Sequence, residues 1–350
     1  MTFTKSVILA VSILVVGCTT ASENELLRFP VETVRDVAQA EMLSPERVMA
    51  DSLEIMGFAV FGDRLVTTTG FGTDHALEVV DMTTGDVVNK LCRVGRGPGE
   101  FLGVLPHFTT ADEAVVVYDS FNGTISEVYA VGEHAGDIAR QVKLEAQPGK
   151  PFPLVSEIFK LNEKEILGYN SIQSLPGSVN TDNPYYAVFD YETGAEKRTF
   201  ELFDAAPLAR VSEFTRMFAF DLCDCMNSER TTLCFAMGKM PVFAFLDIPS
   251  GKVRGFRLSG EPDFSTDENN NRVFFTGVSA REQSIYALYQ TPGYVKTILY
   301  KFDWKGKVQK KYELDSYYMS CFAAPESLYL TRAAEDNMHL SLYRLDYKDL

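Results

Sequence analysis

Leu77-Glu78-Val79-Val80-Asp81 runs into Thr84-Gly85 and then Val87-Val88, and the same arrangement recurs down the chain. Tyr186-Ala187-Val188-Phe189-Asp190 leads to Thr193-Gly194 and Lys197. Phe243-Ala244-Phe245-Leu246-Asp247 leads to Ser250-Gly251 and Val253, and Leu299-Tyr300-Lys301-Phe302-Asp303 leads to Lys305-Gly306 and Val308. A looser copy is Ser126-Glu127-Val128-Tyr129-Ala130, then Gly132 to Gly136, then Ile138. A truncated copy is Leu342-Tyr343-Arg344-Leu345-Asp346. Each joins one apolar or β-branched strand to a second strand through a short turn. Glycine tolerates the positive φ that such a hairpin loop needs, and the acidic side chain can accept from backbone amides two residues on.

The glycines at 85, 136, 194, 251 and 306 stand 51 to 58 residues apart. No helical pattern fills the intervals. Two further strand-like runs do, such as Met217 to Leu222 and Thr231 to Ala236, or Val273 to Val278 and Ser284 to Tyr289. Four strands per period of about 50 residues describes a propeller blade. Six copies of the turn predict an all-β, six-bladed β-propeller with four-stranded antiparallel blades. A seventh turn is not found. The final unit offers Tyr317 to Phe322, Ser327 to Thr331 and Leu340 to Leu345, and then lacks an outer strand. An N-terminal strand within Leu26 to Val37 is expected to supply it, closing the ring so that no edge is left there.

Between the first two units stands Arg93-Val94-Gly95-Arg96-Gly97-Pro98-Gly99-Glu100-Phe101. Three Gly and one Pro in five residues exclude regular structure, which frees the phenylalanine to plug between blades. Weaker echoes are Gln147-Pro148-Gly149-Lys150-Pro151-Phe152 and Gly260-Glu261-Pro262-Asp263-Phe264. A phosphate-binding loop would need Lys-Ser or Lys-Thr after its last Gly and a following helix; here Glu100-Phe101 follows, so that reading fails. The Gly-Arg-Gly-Pro-Gly-Glu-Phe run resembles the signature of the six-bladed TolB-like (NHL-related) propeller lipoproteins of Bacteroidetes. The resemblance implies the fold and an exported compartment, and little about mechanism.

The amino-terminal end is an address. Lys5 precedes an apolar run from Val7 to Gly17 that is too short to cross a bilayer and suits a secretory signal. Val15-Val16-Gly17-Cys18 resembles a lipobox, with Cys18 as the lipid attachment site. The expected division is a signal peptide over 1–17, a tether over 18–25 and the propeller over 26–350. The tether is expected to leave from the outer edge of the last blade. Glu23 and Glu25 resemble the acidic surface-export signal of Bacteroidetes lipoproteins. The expected location is the cell envelope, as an outer-membrane lipoprotein facing the periplasm or the surface.

With 46% apolar residues the chain can bury a large core. A net charge of −15 and no basic stripe exclude nucleic acid as a partner, since phosphates demand clustered Lys and Arg. Five cysteines follow Cys18, an odd number that suits buried thiols better than a disulfide framework. The alternative is a Cys223–Cys234 bridge across a hairpin.

No catalytic constellation emerges. The four histidines lack metal-ligand spacing, and Cys223-Asp224-Cys225, with Cys234, is a poor zinc set. Asp267 to Asn271 starts like a calcium loop but has Arg272 where Gly is required. No cofactor and no metal are expected. Propeller ligands bind at the axial mouth, on the loops from outer to inner strands and from second to third strands. Those loops offer Asp74, His75, Arg96, Asn122, Asn183, Tyr185 and Tyr294 as candidate ligand-binding residues. Arginine with aromatics suits a peptide, a glycan or an anionic group. The leading reading is a non-catalytic binding or scaffolding module, with a peptide, glycan or envelope protein as partner. The alternative is a metal-dependent propeller hydrolase or lyase acting at the axial channel.

Overall fold

The computed structural model describes residues 23–34, 39–53, 57–69, 73–105, 108–145, 155–171, 183–209, 216, 218–260, 262, 273–333 and 340–350. The expected lipobox with Cys18, the Asp267 to Asn271 run, the Gln147 to Phe152 echo and most of the Gly260 to Phe264 echo lie outside them.

The chain folds as a six-bladed β-propeller. The first blade is Phe58–Phe61, Arg64–Thr68, His75–Asp81 and Val87–Arg93. The second is Thr109–Ala111, Ala114–Asp119, Thr124–Tyr129 and Ile138–Lys143; the third is Val155–Asn162, Glu165–Asn170, Tyr185–Asp190 and Glu196–Phe200. The fourth is Leu222–Met226, Thr232–Met237, Val242–Asp247 and Val253–Arg257; the fifth is Phe275–Arg281, Ser284–Gln290, Thr297–Asp303 and Val308–Leu314. The sixth takes Ser320–Ala323, Ser327–Ala333 and Leu340–Asp346 from the end of the chain. Neighbouring strands within each blade are antiparallel.

The repeated turns are the hairpins between third and fourth strands. Asp81 Oδ1 accepts the amides of Thr83 (2.8 Å) and Thr84 (3.1 Å), and Gly85 takes a φ of 80°. Asp190 caps Glu192 and Thr193 in the same way, both at 2.9 Å, with Gly194 at 76°. Asp247 accepts from Ser250 N–H at 2.9 Å and Asp303 from Lys305 N–H at 2.9 Å. These bonds hold the carboxyls of Asp81, Asp190 and Asp247 below the usual range: backbone amides are the main cause at the first two, and the Ser250 hydroxyl at the third.

Both faces of every blade are covered, which is why the strands read as nearly continuous apolar runs. All six residues of Ala114–Asp119 are buried. Buried apolar side chains of the described residues form six clusters, one in each seam between adjacent blades. Strand alternation deals them out. In the first blade Leu65 faces the sixth and Val66 faces the second.

The ring closes through the N-terminal segment, but further along than expected. The closing strand is not within Leu26 to Val37. Three strands precede the first blade: β1 (Val31–Thr33), β2 (Glu41–Leu43) and β3 (Glu46–Leu53). β3 is the missing outer strand and pairs antiparallel with Leu340–Asp346. β1 instead adds a fifth, parallel strand to the outer edge of the fourth blade, and β2 does the same on the fifth. Before β1, a helical turn at Glu23–Leu26 leads to Leu27, which bridges to Phe203. Leu26 and Leu27 are buried in the seam between third and fourth blades. The segment therefore departs from that seam, not from the last blade's edge. The closing strand is expected in this segment to complete the last blade, but its residues Leu26, Leu27, Phe29 and Val31 pack at the seam between third and fourth blades. A second shift is local: the fourth blade's inner strand is Leu222–Met226 rather than Met217 to Leu222, because Phe218 and Ala219 lie in a helical turn.

Candidate functional site

Two sets of loops share one face of the disc: those joining second to third strands, and those joining one blade's outer strand to the next blade's inner strand. Asp74, His75, Arg96, Asn122, Asn183 and Tyr294 stand on or beside these loops, and Tyr185 opens a third strand. The structure brings four of the seven together, at the junction of first and second blades.

The glycine-proline run makes this junction. Val94 and Phe101 pair as a parallel bridge; Phe101 N–H donates to Arg93 O and Gly95 N–H donates to Phe101 O, each at 2.9 Å. The loop between them wraps the Glu100 carboxylate. Gly97 N–H donates to its Oε2 at 2.6 Å, and Arg93 Nε lies 3.3 Å from Oε1. A Cβ on Gly95 would stand 2.0 Å from that carboxylate, so any larger residue there would displace Glu100 from the wrap. Phe101 then inserts into the seam among Leu77, Val79 and Leu91 of the first blade and Val115, Val117 and Val128 of the second. It is 3% exposed.

Asp119, which the sequence did not single out, ties this loop to the next. It is buried at the end of its strand. Its Oδ2 accepts Leu102 N–H and Asn122 Nδ2–H, both at 2.8 Å, and its Oδ1 accepts the amides of Phe121 (3.1 Å) and Asn122 (3.2 Å). Asn122 is thus a bracing residue. One carboxylate serving two loops pins them to each other, and it leaves apolar side chains in solvent. Phe121 is 72% exposed, Val94 40% and Leu102 38%. The Phe121 ring lies so close over Gly103 that a Cβ there would be 2.6 Å away. Arg96 is exposed at the tip of the same loop.

Asp74 and His75 buttress this site from the first blade. Asp74 O accepts Val94 N–H at 2.8 Å. His75 is buried, with Nδ1 2.5 Å from Asp74 Oδ1 and Nε2 2.9 Å from Glu78 Oε1. Both ring nitrogens face carboxylates, so neither is presented to a ligand. The His75 hydrogen bond, with the Lys90 charge second, holds the Asp74 carboxyl below its ordinary value. The other candidates lie elsewhere. Asn183 Oδ1 accepts Ala205 N–H at 2.7 Å and Tyr185 OH donates to Glu196 at 3.2 Å, both at the third blade. Tyr294 belongs to a turn, Pro292–Tyr294, in the fifth. The signal for the missed Asp119 and Phe121 is the run Asp119-Ser120-Phe121-Asn122-Gly123, an acid-capped turn carrying a large aromatic.

Nearer the axis, inner strands of neighbouring blades touch. Here Asp224 of the fourth blade is 9% exposed and faces the third. Its Oδ2 accepts Tyr186 OH at 2.7 Å, and its Oδ1 is buried with no hydrogen-bond partner. Glu157 lies across the seam at a bulge, with a φ of 47°. Burial, then the Glu157 charge, pushes the Asp224 carboxyl well above its usual range. The folded state therefore holds a proton that the unfolded chain releases above about 3.8. Stability from this group is full at acid pH and declines as pH rises through the folded value. Asp224→Asn is expected to flatten that decline. Thermal melts at about pH 5 and 9 check it: the variant's advantage over the native chain should grow with pH, and a parallel pair of curves would refute it. Among the described residues no three His, Cys, Asp or Glu side chains converge as a metal-ligand set.

No family model matches the chain, and no curated protein sequence does. Solved structures match it. A DUF4221-family protein from Bacteroides vulgatus is similar over 91% of this chain and 95% of its own, at 13% identity and a TM-score of 0.56. The calcium-binding protein regucalcin from Agrobacterium tumefaciens is similar over 88% and 96%, at 11% identity and a TM-score of 0.50. At such identities the likeness shows the fold alone.

Proposed function

We propose that this protein is an exported lipoprotein, anchored to the outer membrane through Cys18, whose propeller binds an envelope protein at the junction of its first and second blades. The observation that carries the binding role is the exposed Phe121, with Val94 and Leu102 beside it, on loops that Asp119 holds fixed. Exposed apolar side chains gathered on a rigid base mark a contact surface, and binding there spends little on ordering the loops. Arg96 at the rim adds a cation that can pair with a carboxylate. Residues 1–17 serve as signal peptide and 18–25 as tether. The Gly-Arg-Gly-Pro-Gly-Glu-Phe run, which resembles that of the TolB-like propeller lipoproteins, supports this reading.

A photo-cross-linking amino acid at Phe121 tests the binding role, with Lys164 on the opposite, hairpin face as control. In cells carrying the anchored protein, a discrete adduct is expected from position 121 and none from 164. No adduct at 121, or the same adduct at both positions, would overturn the reading. Cys18→Ser tests the anchor: the folded propeller should move from the membrane fraction to the soluble one, and retention in the membrane would sink the anchor.

A further inference from the structure

The five cysteines outside the signal region carry free thiols in the structure, and their placement is uneven. Cys225 and Cys234 sit directly opposite each other on the first two strands of the fourth blade. Cys223, one alternation earlier, faces Ala236, so a Cys223–Cys234 bridge has no register to form in. We propose that Cys225 and Cys234 close into a cross-strand disulfide when the chain folds in an oxidising compartment.

The geometry fits on three counts. Asn227 N–H donates to Thr232 O at 3.0 Å at the hairpin end. Alternation along the ladder then makes Cys225 and Cys234 a hydrogen-bonded pair, whose Cα atoms stand about 5.5 Å apart. Disulfides span Cα separations of about 4.4–6.8 Å and Cβ separations of about 3.5–4.5 Å, so closing a hydrogen-bonded pair draws its Cβ atoms together from about 5 Å. Both side chains point into the same seam, between the fourth and fifth blades. The loop between them is a tight hairpin, so the two strands meet early in folding.

Burial sets the timing. In the folded ring Cys225 is 7% and Cys234 2% exposed. The buried Cys225 thiol is held far from ionisation, and thiolate is the attacking species. Oxidation therefore occurs while the hairpin is still open to solvent. One thiolate attacks a disulfide oxidant and forms a mixed disulfide; the second thiolate displaces it. Two S–H bonds are lost and one S–S bond forms. The two electrons and two protons leave with the oxidant, which becomes two thiols. Folded, reduced protein should resist the same oxidant.

This inference rests on export for its setting, and the test separates the two. Reduced protein is unfolded in denaturant, refolded with oxidised glutathione, alkylated in denaturant and digested without reduction. The expected product is one linked peptide pair, Cys225 with Cys234, with Cys92, Cys223 and Cys321 alkylated. Full alkylation of all five, or linkage of Cys234 to Cys223 or Cys321, would overturn the proposal. The same digest of protein taken from its native envelope should give the same pair. If the refolded protein forms the bond and the cellular protein is fully alkylated, export is the reading that fails and the pairing stands.

Discussion

A chain beginning at residue 54 is expected to lose the closed ring, whereas one beginning at residue 35 keeps it at reduced stability. The longer deletion removes β3. The strand Leu340–Asp346 then presents an unpaired row of amides and carbonyls along its outer edge, and such an edge recruits other chains. The seam between sixth and first blades loses Met49 from a cluster that also holds Phe58, Leu65, Tyr329 and Leu342. The ion pair of Arg344 with Glu46, at 2.7 Å, goes with it. Circular dichroism melts should show no single cooperative transition, and sedimentation should show association. The shorter deletion removes β1 together with the buried Leu26 and Leu27. Two buried leucines are worth about 3–6 kcal/mol, so its melting point should fall while the transition stays cooperative. A cooperative, monomeric chain from residue 54 would refute this account of closure.

Phe101→Ala is expected to be the most damaging single substitution at the candidate site. The ring fills the seam between first and second blades at 3% exposure. Truncating a buried phenylalanine to alanine removes about 3–5 kcal/mol, or about 4–7 °C of melting temperature for a domain of this size. The loss should carry to the binding surface, because Phe101 N–H and O are both bonded to the loop that presents Val94 and Arg96. Phe101→Leu retains most of the volume and should lose less than half as much. A melting change under about 2 °C for Phe101→Ala would mean that Phe101 is not a plug.

The blades were legible because their signal is local. Asp81 and Gly85, or Asp190 and Gly194, lie four residues apart and make their bonds within the turn. Phe101 was legible for a related reason: glycine and proline forbid alternatives around it. What escaped is everything that joins distant residues. Asp119 to Leu102 spans a blade junction, and Asp224 to Tyr186 spans a seam. Neither spacing has a period. Asn183 and Tyr185 read as ligand residues because they flank a loop, yet their polar atoms are engaged with Ala205 and Glu196. Closure was legible in kind and wrong in place. The outer strand Glu46–Leu53 is half polar and carries no acid-turn-glycine signature, while the more apolar Leu26 and Leu27 upstream are buried between third and fourth blades.

That route along the rim also decides how the disc takes a load. Pulling on the N-terminal end reaches the Leu26–Leu27 contact first, then β1, then β2, and β3 last. The first two strands are three residues each and are additions to blades already complete with four. They can be torn away and can re-form without opening the ring. The segment behaves as a fuse in series, yielding in steps and shielding the one strand whose loss would unlace the propeller.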